Sequence, residues 1–141
     1  MIHFVGAGSG AADLITVRGA DMLRKADVII YAGSLVNPAL LDYAQPECAI
    51  YNSATMTLEE VIEVMRAAEK EGKTTVRLHT GDPCLFGAIR EQMDILDEDD
   101  IEYDYTPGVS SFCGAASALK AEYTLPSVSQ SVIITRMEGR T

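Results

Sequence analysis

Apolar positions along the chain follow two rhythms. Five short runs, "IHFVGAG" (2–8), "ADVIIYAG" (26–33), "CAIYNS" (48–53), "TTVRLHTG" (74–81) and "IEYDYTPG" (101–108), are rich in branched and aromatic residues and close on glycine or small polar ones. Those are the marks of strands that stop at a turn. Between most of them the period lengthens. In "TLEEVIEVMRAAEKEGK", Leu58, Val61, Ile62, Met65 and Ala68 recur at helical spacing, Thr57 and Glu60 stand at capping-box distance, and Gly72 ends the pattern. Residues 13–25, 83–97 and 110–121 give further helical patterns, the last rich in alanine. Strands alternating with helices predict an α/β fold: a mainly parallel five-stranded sheet with helices on both faces, because parallel neighbours need a crossover connection.

After Pro126 the rhythm changes. One more apolar run, 132–135, is followed by no helix to cover it. Two readings stay open: a last strand that joins the existing sheet, or the opening strand of a second domain.

Composition narrows the picture. With 141 residues and 48% hydrophobic content the chain fits one compact domain and is too short for two ordinary ones. No apolar run approaches the roughly 20 residues that span a bilayer, and no leader-like segment opens the chain, so a cytoplasmic location is expected. Cys48, Cys84 and Cys113 are odd in number and form no C-x-x-C, which points to free thiols and to no protein-held metal. The net charge of -10 disfavours nucleic acid and anionic membranes as partners.

Three strand ends have unusual chemistry. In open α/β sheets ligands gather at the carboxyl ends of strands, where backbone N–H groups point outward. At the first, Gly6-Ala7-Gly8-Ser9-Gly10-Ala11 fits G-x-G-x-x-A, yet the second strand ends in Tyr31-Ala32-Gly33-Ser34 without the acidic residue a dinucleotide site wants there; Asp27 lies at its other end. A tight turn for close helix packing explains the glycines equally well. The second end is Gly81-Asp82-Pro83, in which glycine permits a turn, Asp82 suits a helix cap and Pro83 a first turn. The third, Thr106-Pro107-Gly108-Val109-Ser110-Ser111, places two hydroxyls before a helix. His3 reads as structural and His79 as a core histidine, with proton donation as the alternative for His79. No nucleotide P-loop, no G-x-S-x-G elbow and no H-E-x-x-H is present.

With these ends located, "VGAGSGAADLITVRGADML", "LHTGDPCLFGAIREQMD" and "TPGVSSFCGAASAL" resemble the tetrapyrrole methylase family. "YAGSLVNP" and "VSQSVIITRMEGRT" resemble more particularly its precorrin-4 or cobalt-precorrin-4 branch, which methylates carbon 11 in cobalamin biosynthesis. Ser9 stands where many relatives have proline. The resemblance implies a two-domain enzyme that holds S-adenosylmethionine between its domains and releases S-adenosylhomocysteine. On this view residues 1–125 are the first domain, and 126–141 are a linker and the first strand of a truncated second one. The fragment alone is then expected to be a poor catalyst.

By the same resemblance Gly81, Asp82, Leu85, Ser110 and Ser111 would contact the cofactor, while Gly8, Ser9, Gly10 and Ser34 would lie toward the tetrapyrrole; no catalytic residue is assigned. A polycarboxylate substrate needs local cations, and Arg18, Arg77, Arg90, Arg136 and Arg140 are the candidates. An uncovered strand and a lost domain interface predict self-association, as in a homodimer. The rivals are methylation of another tetrapyrrole carbon or another substrate, a dinucleotide-binding module, and a non-catalytic assembly domain.

Overall fold

The computed structural model describes residues 1–137. Five parallel strands, β1 (Ile2–Gly6), β2 (Val28–Tyr31), β3 (Ala49–Asn52), β4 (Thr75–His79) and β5 (Tyr103–Thr106), form one sheet in the order β3-β2-β4-β1-β5. Four α-helices accompany them: α1 (Val17–Lys25), α2 (Leu58–Lys70), α3 (Arg90–Glu98) and α4 (Ser111–Leu119).

The pleat divides the apolar residues between two cores. Val5, Ile29, Val76 and Leu78 face one side with Ala20 and Leu23 of α1 and Leu40 of the 3-10 segment Pro38–Tyr43. Ile2, Phe4, Val28 and Ile30 face the other, under Val61, Ile62, Met65 and Ala68 of α2 and Leu96 of α3. The capping box of α2 forms as its spacing predicts, with Glu60 N donating to Thr57 Oγ1 at 3.2 Å and Thr57 N to Glu60 Oε2 at 2.8 Å.

β4 is central and buried at every position, so its polar residues lie in the interior. Arg77 is 6% exposed; its guanidinium donates to Gln92 Oε1 at 3.0 Å and to the Ile30 carbonyl at 3.1 Å. His79 takes the core role read from the sequence. It stacks near Phe4 with ring centroids 6.3 Å apart, and its Nε2 has no hydrogen-bond partner among the described residues. Burial first, and the Arg77 charge second, lower its pKa to about 3, so the ring is neutral. His3 Nδ1 pairs with Asp104 Oδ1 at 2.7 Å across the β1–β5 ladder, a structural tie.

Three expectations need correction. The helix expected over 83–97 begins only at Arg90, because Phe86 and Ala88 adopt left-handed φ values of 57° and 49°, which right-handed helix cannot accommodate. The helix expected over 13–25 is a 3-10 turn, Ala12–Leu14, followed by α1 proper, whose start is capped by Thr16 Oγ1 accepting from Gly19 N at 3.0 Å. Of the two readings of the apolar run 132–135, the last strand of this sheet is not formed: among the described residues no strand of the sheet pairs with it, and Ile133 is 88% exposed.

Candidate functional site

The carboxyl ends of β1, β4 and β5 are drawn together by backbone packing that only glycine permits. Ala7 N donates to the His79 carbonyl at 2.7 Å; Gly8 and Gly81 then exchange two backbone hydrogen bonds, Gly8 N to Gly81 O at 3.2 Å and Gly81 N to Gly8 O at 3.0 Å. A methyl group at Gly108 would meet the Gly81 carbonyl oxygen at 2.1 Å and Gly6 Cα at 2.8 Å. Gly81 itself has φ +58°, the left-handed region that glycine enters at least cost.

Above this junction lies a cleft of about 510 Å³, within the size range of small-molecule sites. From the first loop it is lined by Gly8, Ser9 and Gly10. The second loop contributes Gly81, Asp82 and Leu85, and the third Ser110 and Ser111. The three loops read separately in the sequence therefore converge on one hollow. Ser34 does not line it; the neighbouring Leu35 does, from the 3-10 turn Gly33–Leu35 after β2. That connection has a second task, since Asn37 Nδ2 donates to the Gly10 carbonyl at 2.8 Å and so fixes the glycine loop from the side.

Asp82 does not cap a helix. Its Oδ1 accepts from Cys84 N at 2.9 Å and from the Tyr105 hydroxyl, and its Oδ2 accepts from Gly108 N at 3.0 Å. Burial alone would raise its pKa, but the hydrogen bonds from Tyr105, Cys84 N and Gly108 N hold it below the usual aspartate value. The Tyr105 hydroxyl is pushed well above its ordinary value, first by burial and then by the carboxylate beside it. Ser9 Oγ is buried and has no hydrogen-bond partner among the described residues. Ser9 also rests on α4, where a side chain at Gly114 would collide with its Cβ at 2.7 Å.

Sequence reasoning missed Tyr105, Phe86 and Phe112. The two phenylalanines line the cleft, and Phe86 does so from the left-handed segment that the helical pattern concealed. An aromatic residue two places before Pro-Gly is the one signal that pointed to Tyr105. Among the described residues the proposed cations do not line the cleft. Arg77 is interior, and Arg90 is engaged by Asp94 and Asp97 on α3, Nε to Asp94 at 2.8 Å. Arg18 is exposed on α1, Arg136 lies in the C-terminal segment, and Arg140 lies outside the described residues. Among the described residues no group of three His, Cys, Asp or Glu side chains is placed to hold a metal, the three cysteines are free thiols, and no helix is long and apolar enough to cross a membrane.

A doubly covered parallel sheet with a glycine-built cleft at its carboxyl rim defines an α/β small-molecule-binding domain. Residues 1–141 match the family model for tetrapyrrole (corrin/porphyrin) methylases, and the chain belongs to that family. The cobalt-precorrin-4 C(11)-methyltransferase of Methanocaldococcus jannaschii is 58% identical over 140 residues, covering 99% of this chain and 54% of that protein. A solved cobalt precorrin-4 methyltransferase superposes with a TM-score of 0.95 at 45% identity, covering 99% of this chain and 58% of the other. The uroporphyrin-III C-methyltransferase of Thermus thermophilus, solved with S-adenosylhomocysteine, superposes with a TM-score of 0.74 at 27% identity, covering 92% of this chain and 52% of that one. The chain thus spans about half the length of the curated relatives it matches.

Proposed function

We propose that this chain is the first domain of an S-adenosylmethionine-dependent methyltransferase acting on carbon 11 of precorrin-4 or cobalt-precorrin-4, with residues 126–141 leading into a second domain. The observation that carries the reading is the single cleft shared by the three loops, in a chain 58% identical to an enzyme of that name. The residues suit the cofactor. Gly81 and Gly108 let the loop backbones close beneath the cleft, Ser110 and Ser111 line it with small polar residues, and Leu85 and Phe86 offer apolar walls.

S-adenosylmethionine, when bound, supplies an electrophilic methyl group. What this chain adds is placement. Gly81, Asp82, Leu85, Ser110 and Ser111 would hold the cofactor, and Gly8, Ser9 and Gly10 would face the tetrapyrrole, with Ser34 at its margin. Fixed loops that orient two reactants convert a bimolecular encounter into an effectively unimolecular one, which is a large share of the rate available to a methyl transfer. No side chain in the cleft is needed as a nucleophile. The exposed apolar residues of α4 and the following segment, Leu119, Val128 and Ile133 among them, support burial against further protein, including a second copy.

The test is made on the full-length protein. Incubation with S-adenosylmethionine and the precorrin-4 substrate should add one methyl group at carbon 11, read by mass spectrometry and NMR. Binding of S-adenosylhomocysteine should exceed that of NAD(H); the opposite order removes the methyltransferase reading in favour of a dinucleotide module.

A further inference from the structure

We infer that Tyr105 is a positioning residue: acting through the Asp82 carboxylate, its hydroxyl locks the β4 and β5 loops at the spacing that shapes the cleft. The inference rests on the methyltransferase reading only for the identity of the ligand.

Both oxygens of the Asp82 carboxylate have protein donors. Oδ1 receives Cys84 N and the Tyr105 hydroxyl, and Oδ2 receives Gly108 N. Tyr105 contributes twice, because its oxygen also accepts from Cys84 N at 3.2 Å. Three chain segments therefore meet at one carboxylate: the turn after β4, the last residues of β5, and the glycine that opens the approach to α4. Charge-assisted hydrogen bonds of this kind are about twice as strong as neutral ones and are specific in direction. Oδ1 is fully engaged in this way, and Oδ2, which receives Gly108 N, keeps one acceptor site.

The position of Tyr105 explains why a phenol suits the task. Its ring belongs to the core face it shares with Phe4 and Tyr103, which anchors it, while the hydroxyl reaches the rim. Phenylalanine would keep the anchor and lose the lock. With the hydroxyl gone, Oδ1 keeps only Cys84 N, and the turn carrying Gly81 loses its tie to the strand β5 itself, leaving the Gly108 N bond alone to join the two loops through Asp82.

The experiment uses the full-length protein and three substitutions: Tyr105→Phe, Asp82→Asn, and Tyr103→Phe as the control, since the Tyr103 hydroxyl donates to Asp97 at 2.9 Å on α3. Two quantities are read: affinity for S-adenosylhomocysteine by calorimetry, and backbone amide exchange without ligand. Tyr105→Phe should weaken affinity roughly 10-fold and speed exchange at Cys84 and Gly108 by a similar factor, with Ala7 and Ala32, bonded to the His79 and Leu78 carbonyls, unchanged. Asp82→Asn should act on the same two amides, and the double variant should lose scarcely more affinity than the worse single one. Tyr103→Phe should alter neither reading. Affinity within twofold of the parent for Tyr105→Phe, or losses that multiply in the double variant, overturns the inference. If the parent does not bind S-adenosylhomocysteine while Tyr105→Phe still frees both amides, the cofactor reading falls and the lock stands.

Discussion

Helices α2 and α4 follow the same kind of strand end and do opposite work. α2 begins in a complete capping box and buries Val61, Ile62, Met65 and Ala68 against the sheet. α4 starts without a side-chain cap bond at Ser110 and buries no residue, although it is mostly apolar. The contrast separates two uses of hydrophobic surface. On α2 it secures the fold; on α4 it allows small residues to stand close to the first loop, as Gly114 does to Ser9, and leaves Leu119 exposed.

That contrast can be broken at its strongest point by Met65→Ala, which empties a fully buried site and should cost about 2–5 kcal/mol in urea unfolding. Gly108→Ala, on the approach to α4, forces a methyl group against the Gly81 carbonyl. It should cost about 1–3 kcal/mol through the shifted backbone and should damage S-adenosylhomocysteine binding more than it lowers the unfolding midpoint.

The covered face under α2 should also be more sensitive to acid. His79 stays neutral in the fold down to about pH 3, whereas in the unfolded chain it takes a proton near pH 6.5. Over that window the unfolded state binds the extra proton, so stability falls as pH falls, by up to about 1.4 kcal/mol per pH unit. Between pH 6.5 and 5 the loss attributable to this residue is about 2 kcal/mol, and His79→Gln should remove that slope in paired urea titrations.

Thr57→Ala, which opens the capping box of α2, should cost about 1 kcal/mol. Leu119→Ala on α4 completes the series. Leu119 is 76% exposed, and its truncation should change unfolding free energy by no more than about 0.5 kcal/mol. A loss comparable to that of Met65→Ala would place Leu119 in a buried contact and erase the contrast.

The sequence was most legible where one interaction repeats. Runs of branched and aromatic residues closed by glycine or small polar ones located all five strands, and the Leu58-to-Ala68 spacing located α2, whose recurring residues report one buried face. Loops were legible as composition and not as shape. Gly-Asp-Pro is a sound helix start on local grounds, but the Asp82 carboxylate is claimed by Tyr105 and Gly108, more than 20 residues away in the chain, and no local rule anticipates that. The same holds for Arg77. A charged residue in a strand reads as a surface cation, and only the strand order, with β4 between β2 and β1, shows it to be interior. Phe86 escaped notice because its left-handed backbone depends on how the turn is held at both ends.

The strand order also sets a timetable. β1 touches neither β2 nor β3; its neighbours are β4 and β5, so Ile2 aligns with Thr75 and Tyr103. As the polypeptide leaves the ribosome, its first strand has to wait unpaired until β4, Thr75–His79, has been made, while β2 and β3 can meet sooner. An apolar amino terminus held in suspense for that long is a natural client for a chaperone.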